Sequence, residues 1–126
     1  DFDKSDKSGW TPTHIAAQKQ NLEVIRLLKR LGADINKSNK YGCIPIHIVV
    51  LGGNVRVLSA LTVLGADLNK ANKYGKTSAH LAAQNAYGEV LNLLDKSGAN
   101  LEKADNDGRT PMMIAQSNAH FTAMAF

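Results

Sequence analysis

Apolar and polar positions along this chain repeat at an interval of 33 residues. The glycines that close each polar stretch keep this spacing: Gly9, Gly42, Gly75 and Gly108. Two further sets keep the same interval: Gly32, Gly65 and Gly98, and His14, His47 and His80. Because three independent features hold one register along the chain, the pattern predicts a tandem-repeat architecture.

Each repeat predicts two helices followed by a turn. Thr11-Pro12 is a helix start, since the hydroxyl can cap free N–H groups and proline suits the first turn. A second helix follows, with apolar residues at spacings of one, three and four: Val24, Ile25, Leu27 and Leu28, and again Val90, Leu91, Leu93 and Leu94. Gly32 then ends this helix, and the polar residues 36–42 predict a connecting turn.

One helix pair cannot bury its apolar stripe alone, so the units are predicted to stack side by side into a solenoid. The segments TPTH at 11–14 and GADIN at 32–36 are similar to the TPLH and GADVN motifs of ankyrin repeats. The chain therefore resembles the ankyrin-repeat family over essentially its whole length. This resemblance implies an all-α solenoid of helix-turn-helix units with protruding β-turn or hairpin loops.

We expect one domain, residues 1–126, with repeats at 6–38, 39–71 and 72–104 and an incomplete repeat at 105–126. Residues 1–5 match the closing turn of a preceding repeat, which suggests a piece of a longer protein. The second repeat departs from the family pattern at Ile44 and at 49–50, where Thr and Ala-Ala are usual. The fourth has Met113 in place of His, and only residues 121–126 remain for its second helix.

Composition places limits on the setting of the protein. No 18 apolar residues run together, so no membrane span is predicted. Cys43 is the single cysteine, so no internal disulfide can form. This favours an intracellular location in the cytoplasm or nucleus, or in the host cytosol if the chain belongs to a secreted bacterial effector. We expect a monomer, and the net charge of +4 weakly favours a partner with an acidic surface.

Residues that could perform chemistry are few. One His per repeat places these rings roughly 10 Å apart, whereas zinc needs ligands at about 2 Å; the resemblance instead implies that each His braces a turn. Cys43 is expected in an exposed turn with no His near it, so no activated nucleophile is predicted. No phosphate-binding loop, HExxH or paired-cysteine motif occurs. We therefore predict no catalytic, cofactor or metal site, and no enzyme.

The resemblance implies that the turns and the exposed side of the first helices form a concave surface for a partner protein. Carried over by position, the candidate partner-binding residues are Trp10, Lys19, Lys40, Tyr41, Cys43, Leu51, Lys73, Tyr74, Lys76, Asn85 and Arg109. Trp, Tyr and Arg often anchor interfaces. The alternative is that the lysines only keep the turns soluble and each Tyr packs on a neighbouring turn.

Two other functions stay open at this point. The lysine-rich turns could bind nucleic acid or an anionic membrane, but aspartates alternate with lysines in the first and fourth turns, so this ranks lower. The chain could also be a targeting segment of a larger enzyme or bacterial effector. Asn36 and Asn69 have the spacing that asparagine hydroxylases favour in ankyrin repeats, although both residues also belong to the ordinary repeat.

The pattern also ranks two positions by burial. Leu94 falls in the predicted core stripe, so Leu94→Ala should cost roughly 2–5 kcal/mol of folding free energy. Lys76 falls in a turn expected to be exposed, so Lys76→Ala should lie within about half a kcal/mol of neutral.

Overall fold

The computed structural model describes the backbone of residues 1–125 and the side chains of residues 1–118. Within residues 1–125 every regular element is helical and no strand occurs. The helices are α1 (Pro12–Gln18), α2 (Leu22–Arg30), α3 (Pro45–Gly52), α4 (Val55–Val63), α5 (Ser78–Gln84), α6 (Gly88–Lys96) and α7 (Pro111–Ala125). The predicted all-α class is confirmed.

The helices form two layers of a stack. The first helices pack in chain order, α1 on α3, α3 on α5 and α5 on α7. Each first helix also packs against the second helix of its own unit, as α1 does on α2, α3 on α4 and α5 on α6. The turns that precede the first helices therefore lie in a row along one side of the molecule, which places the candidate residues of successive units next to each other.

Threonine and histidine together start the first helices of units one and three. Thr11 Oγ1 accepts a hydrogen bond from the His14 N–H at 3.3 Å, and the Thr11 N–H donates to His14 Nδ1 at 3.1 Å. Thr77 and His80 repeat this arrangement. Ile44 has no hydroxyl, so only one of the two hydrogen bonds remains in the second unit. The Ile44 N–H donates to His47 Nδ1 at 3.0 Å. Since both hydrogen bonds cap free backbone groups, the second unit has the weaker helix start.

In the first unit, fewer residues of the predicted apolar stripe are buried than the sequence pattern indicates. Ile25 and Leu28 are buried, but Val24 is 38% exposed and Leu27 is 41% exposed. The same position is buried in later units, where Val57 and Val90 occupy the place of Val24 and are 0% and 2% exposed. Leu94 is fully buried, as predicted.

The fourth unit differs from the expectation of a separate second helix at 121–126. Its helix α7 continues without interruption from Pro111 to Ala125. Residues 112–125 contain no glycine or proline, so nothing in the local sequence stops the helix. The expectations that His120 is exposed and that Phe121, Met124 and Phe126 form uncapped apolar faces lie outside the described side chains.

Candidate protein-interaction surface

Every turn in the row has an Asx residue at its first position. The side-chain Oδ1 of this residue accepts two backbone N–H groups, two and four residues later, at 2.9–3.1 Å. The four residues are Asp6, Asn39, Asn72 and Asp105. The common role of these four residues was not predicted. Only Asp and Asn occur here at the 33-residue interval, and that regularity was the available signal.

Backbone hydrogen bonds join each turn to the next. The Lys40 N–H donates to the Ser8 carbonyl at 3.0 Å, and the Lys73 N–H donates to the Tyr41 carbonyl at 2.9 Å. Gly42 lies at this junction with φ +76°, and a Cβ there would lie 2.9 Å from the Lys73 nitrogen. Both the left-handed backbone and the close approach therefore require glycine at this position. The row of turns therefore forms a hydrogen-bonded platform from which side chains project.

Two lysines and two tyrosines project from the second and third turns and form what we name the lysine–tyrosine row: Lys40, Tyr41, Lys73 and Tyr74. Lys73 Nζ lies 4.7 Å from the centre of the Tyr41 ring and 5.1 Å from that of Tyr74. Lys40 Nζ lies 5.2 Å from the Tyr41 ring. Each such cation–π contact contributes about 0.5–1 kcal/mol at an exposed site. Because Tyr41 and Tyr74 remain 39% and 56% exposed, the row presents both charge and aromatic surface to solvent.

Trp10 lies beside the row and is half-buried. Its ring centre is 5.6 Å from that of His14, at an interplanar angle of 51°. It also forms one wall of a shallow groove of about 360 Å³ between the first and second units, which we name the inter-repeat groove. The groove is lined by Trp10, Gln18, Gln20, Ile48, Leu51 and Gly52. Trp10 and Leu51, which were chosen separately from the sequence, are thus brought together.

Cys43 differs from its predicted environment in its burial. It is half-buried rather than exposed, and this burial raises the pKa of the thiol above its usual value. The His14 ring is 2.8 Å from the Cys43 backbone carbonyl, whereas the expectation that no His serves as its base concerned the thiol. That contact uses His14 Nε2 and the backbone oxygen, because Nδ1 already accepts from Thr11. His14 therefore braces the turn.

Lys76 is not the free turn lysine that was expected. Its Nζ lies 3.2 Å from Asp105 Oδ2, and the two side chains are only 16% and 1% exposed. The Arg109 backbone N–H bond and the Lys76 contact together lower the pKa of Asp105 to about 2. Lys76 therefore links the third and fourth turns, and we now expect Lys76→Ala to destabilise the protein instead of being neutral.

The other candidate residues fall into two groups. Lys19, Leu51 and Asn85 lie exposed at the ends of first helices. Arg109 is exposed but has an acidic neighbour, with Nη2 3.7 Å from Asp107 Oδ2. This neighbour reduces the positive field at the fourth turn.

Asn36 and Asn69 connect the closing turns of successive units. Asn36 Oδ1 accepts from the Asp67 N–H at 2.9 Å, and its Nδ2 donates to the Gly65 carbonyl at 3.1 Å. Asn69 Oδ1 accepts from the Asn100 N–H at 2.7 Å. Asp3 makes the equivalent bond to the Asp34 N–H at 2.9 Å. A hydroxylase that acted on Asn36 would have to displace these two hydrogen bonds.

The three repeat histidines each reach the backbone of the following unit. Their Nε2 atoms lie 2.7–2.9 Å from the carbonyls of Cys43, Lys70 and Arg109. Burial is the largest cause lowering the pKa of His14, His47 and His80, although the carbonyl contacts oppose it. Among the described residues no cluster of three or more His, Cys, Asp or Glu side chains is placed to hold a metal ion. The histidines brace the stack, as the family resemblance implied.

We expect this bracing to make folding stability depend on pH. The pKa of each buried histidine is lower in the folded state than in the unfolded chain, so the unfolded chain binds protons more readily. The free energy of unfolding should therefore be highest above about pH 6.5 and decrease as the pH falls below it. Thermal melts from neutral pH to about pH 5 would measure this loss.

A matched variant isolates one of the three groups. The fourth unit places Met113 at the His position, and Met113 Sδ accepts from the Thr110 N–H at 3.4 Å. His80→Met places the same side chain in the third unit and removes one titrating histidine. The melting temperature of this variant should therefore vary less with pH below about 6.5 than that of the wild type. Identical pH slopes for the two proteins would contradict this assignment.

Sequence comparison agrees with this architecture. A family model described as ankyrin repeats in many copies matches residues 14–62, and one described as ankyrin repeats in three copies matches residues 46–126. The chain belongs to the ankyrin-repeat family. No individual curated protein matches it with significant similarity. Among the described residues no helix has both the length and the apolar character needed to cross a bilayer. Ankyrin repeats are generally protein–protein interaction modules, and the family is typically non-catalytic.

Proposed function

We propose that this chain binds a partner protein through one continuous surface, formed by the turns and the exposed side of the first helices. The observation that carries the proposal is the lysine–tyrosine row. Its side chains project from a hydrogen-bonded platform and remain exposed, whereas the His, Thr and Asx side chains of the same turns are occupied within the stack. Exposed aromatic rings held in place at low entropic cost are the groups that anchor interfaces.

The charge on this surface favours an acidic partner. The segments 37–43 and 70–76 contain five lysines and no acidic residue. One of these, Lys76, is paired with Asp105, and Asp107 offsets Arg109 at the fourth turn. The free positive charge is thus concentrated at the second and third turns, which suits a local acidic patch on a protein better than an extended polyanion.

Two substitutions test the binding surface. Trp10→Ala and Lys73→Glu should each reduce recovery of a specific partner by about tenfold or more, since anchor residues commonly contribute above 1 kcal/mol. Affinity capture with quantitative mass spectrometry would measure recovery, with thermal melts showing that each variant remains folded. Lys29→Glu, an equivalent charge reversal on the exposed side of α2, should leave recovery unchanged. Equal recovery by the wild type and both surface variants would reject the proposal.

Nucleic acid or an anionic membrane is the second candidate, supported by the same lysines. Binding of that kind would weaken steeply with salt, because each neutralised phosphate releases a counterion. Titrations with DNA, RNA and acidic vesicles at two salt concentrations would reveal it. A parent enzyme or bacterial effector would place its catalytic groups outside these residues and use this surface for targeting.

The cellular compartment is proposed from the amino-acid composition. A single half-buried cysteine in a chain of 126 residues is compatible with a reducing intracellular compartment, in cytoplasm, nucleus or the cytosol of a host cell. We also propose that the chain is a monomer. Asn36 and Asn69 stay candidate hydroxylation sites, and mass spectrometry of the native protein would detect the added oxygen.

A further inference from the structure

The inter-repeat groove borders a glycine where the neighbouring units have side chains. Gly52 takes the place of Lys19 in the first unit and Asn85 in the third. Gly52 has no positive φ, so the backbone itself does not require glycine there. The side-chain amide of Gln20 lies against the Gly52 backbone, where an added Cβ atom would collide with it. A larger side chain at position 52 would therefore displace Gln20 and partly fill the groove.

The walls of the groove are apolar and well supported. Trp10 and Ile48 are both partly exposed within it, and Leu51 is 47% exposed. The Leu51 backbone is held from behind, because the Tyr87 hydroxyl donates to its carbonyl at 3.4 Å. Exposed apolar side chains that converge on a concave site gain free energy when an apolar group covers them and removes them from water.

The floor of the groove has a polar group that lacks a partner. Gln20 Nε2 makes one long hydrogen bond, 3.5 Å from the Val49 carbonyl, whereas Gln20 Oε1 is buried with no hydrogen-bond partner. Buried acceptors are normally paired. Gln20, which lines the groove, therefore has an unpaired acceptor.

The turn that carries the first lysine of the row lies against the turn that leads to the groove. The Lys40 N–H donates to the carbonyl of Ser8, two residues before Trp10. From there the lysine–tyrosine row leads to Lys73 and Tyr74. A cationic and aromatic strip therefore begins on the turn next to the one that carries Trp10. Charge complementarity identifies the occupant as acidic, and the groove requires that it also have an apolar side chain.

We propose that the inter-repeat groove holds one large apolar side chain of an extended acidic segment in the partner protein, and that the carboxylates of this segment lie along the lysine–tyrosine row. This inference rests on the proposed protein-binding function and adds the chemistry of the partner. The apolar side chain sets the position of the segment, because the groove is an apolar recess between the first and second units. The lysines then select acidic over basic flanking residues.

Trp10 makes the test direct, because it is the only tryptophan in the chain. Three short tryptophan-free peptides of equal length serve as probes: an acidic peptide with a central Leu, the same peptide with a central Ser, and a basic peptide with a central Leu. Titration into the full chain, followed by Trp10 fluorescence and calorimetry, gives the affinities. The acidic Leu peptide should bind at least about tenfold more tightly than either of the others.

Variants then locate the binding site. Gly52→Gln fills the groove with a neutral side chain and should weaken the acidic Leu peptide about tenfold or more, to the affinity of the Ser peptide. Gly88→Gln is the matched control, since Gly88 is an exposed helical glycine whose added Cβ would meet nothing within 4 Å. Leu51→Ser provides a second variant in case the Gly52 substitution unfolds the protein. Reversal of both lysines, Lys40→Glu with Lys73→Glu, should transfer the preference to the basic Leu peptide.

The outcomes separate this inference from the general proposal. If captured partners depend on Trp10 and Lys73, but the three peptides bind equally or none binds, the groove assignment is overturned and the protein-binding function stands. The assignment is also overturned if Gly52→Gln and Leu51→Ser leave the affinity unchanged, or if a single-stranded oligonucleotide of equal charge binds more tightly than the acidic Leu peptide. If neither captured partners nor peptides respond to any surface variant, both proposals fail.

Discussion

Replacement of Leu94 by alanine is expected to lower the free energy of unfolding by about 2–5 kcal/mol. Leu94 has no exposed surface and lies in α6, in the core that units two and three share. Shortening its side chain removes buried methyl groups and leaves a cavity that the surrounding helices can only partly close. Chemical denaturation monitored by circular dichroism would give the difference.

The control for this change lies on the same helix. Asn92 is exposed, so Asn92→Ala should stay within about 0.5 kcal/mol of the wild type and preserve the cooperativity of the transition. A larger loss at Asn92 than at Leu94 would mean that the inner and outer faces of α6 have been exchanged.

Asp105 is expected to be the most sensitive polar residue of the turns. Its Oδ1 accepts the N–H groups of Asp107 and Arg109, both at 2.9 Å, and its Oδ2 pairs with Lys76. Asp105→Ala removes all three contacts, at a cost of about 1–3 kcal/mol for each buried partner that is left unsatisfied. Thermal and chemical unfolding would both record the loss.

The chain itself suggests the matched variant. Asn39 and Asn72 hold the second and third turns with the same pair of N–H contacts and no charge. Asp105→Asn should therefore keep the turn and lose only the pairing with Lys76, so that it destabilises clearly less than Asp105→Ala. Lys76→Ala should then resemble Asp105→Asn. If Asp105→Ala and Asp105→Asn had equal stability, the N–H contacts would not be what holds the turn.

The ion pair also predicts how the site responds to acid. The pKa of Asp105 is about 2, below that of an ordinary aspartate, so its contribution is complete above about pH 4 and decreases as the pH falls toward 2. The histidines act in a separate and higher range, since their contribution is lost below about pH 6.5. Two separate steps in the acid unfolding profile would assign one to each kind of group.

The surface that we propose for binding combines residues that were predicted well and residues that were not. Trp10, Tyr41, Lys73 and Tyr74 could be selected from the sequence because each lies at a position that the resemblance assigns to partners. The contact of Lys73 with the Tyr41 ring could not, because it depends on how far one turn is displaced from the next. No role for Gly52 was predicted, because its contact with the Gln20 amide crosses from one unit to the next.

Val24 and Leu27 were expected to be buried and are exposed, whereas Val57, at the position of Val24 in the second unit, is buried. Two other expectations failed for a common reason. Lys76 was expected to be free and Cys43 to be exposed. Each depended on what lies across the boundary between units: Asp105 is 29 residues after Lys76, and His14, which contacts the Cys43 carbonyl, is 29 residues before Cys43. A pattern within one repeat contains no information about these neighbours.

The sequence by itself determined the helix pairs and the glycine-ended second helices, because short-range spacing and a repeat register specify such features locally. Only the tertiary structure decided which lysines are free and where a groove opens between units. Those properties arise from contacts between residues about 30 positions apart, whose geometry is set by how one unit packs on the next.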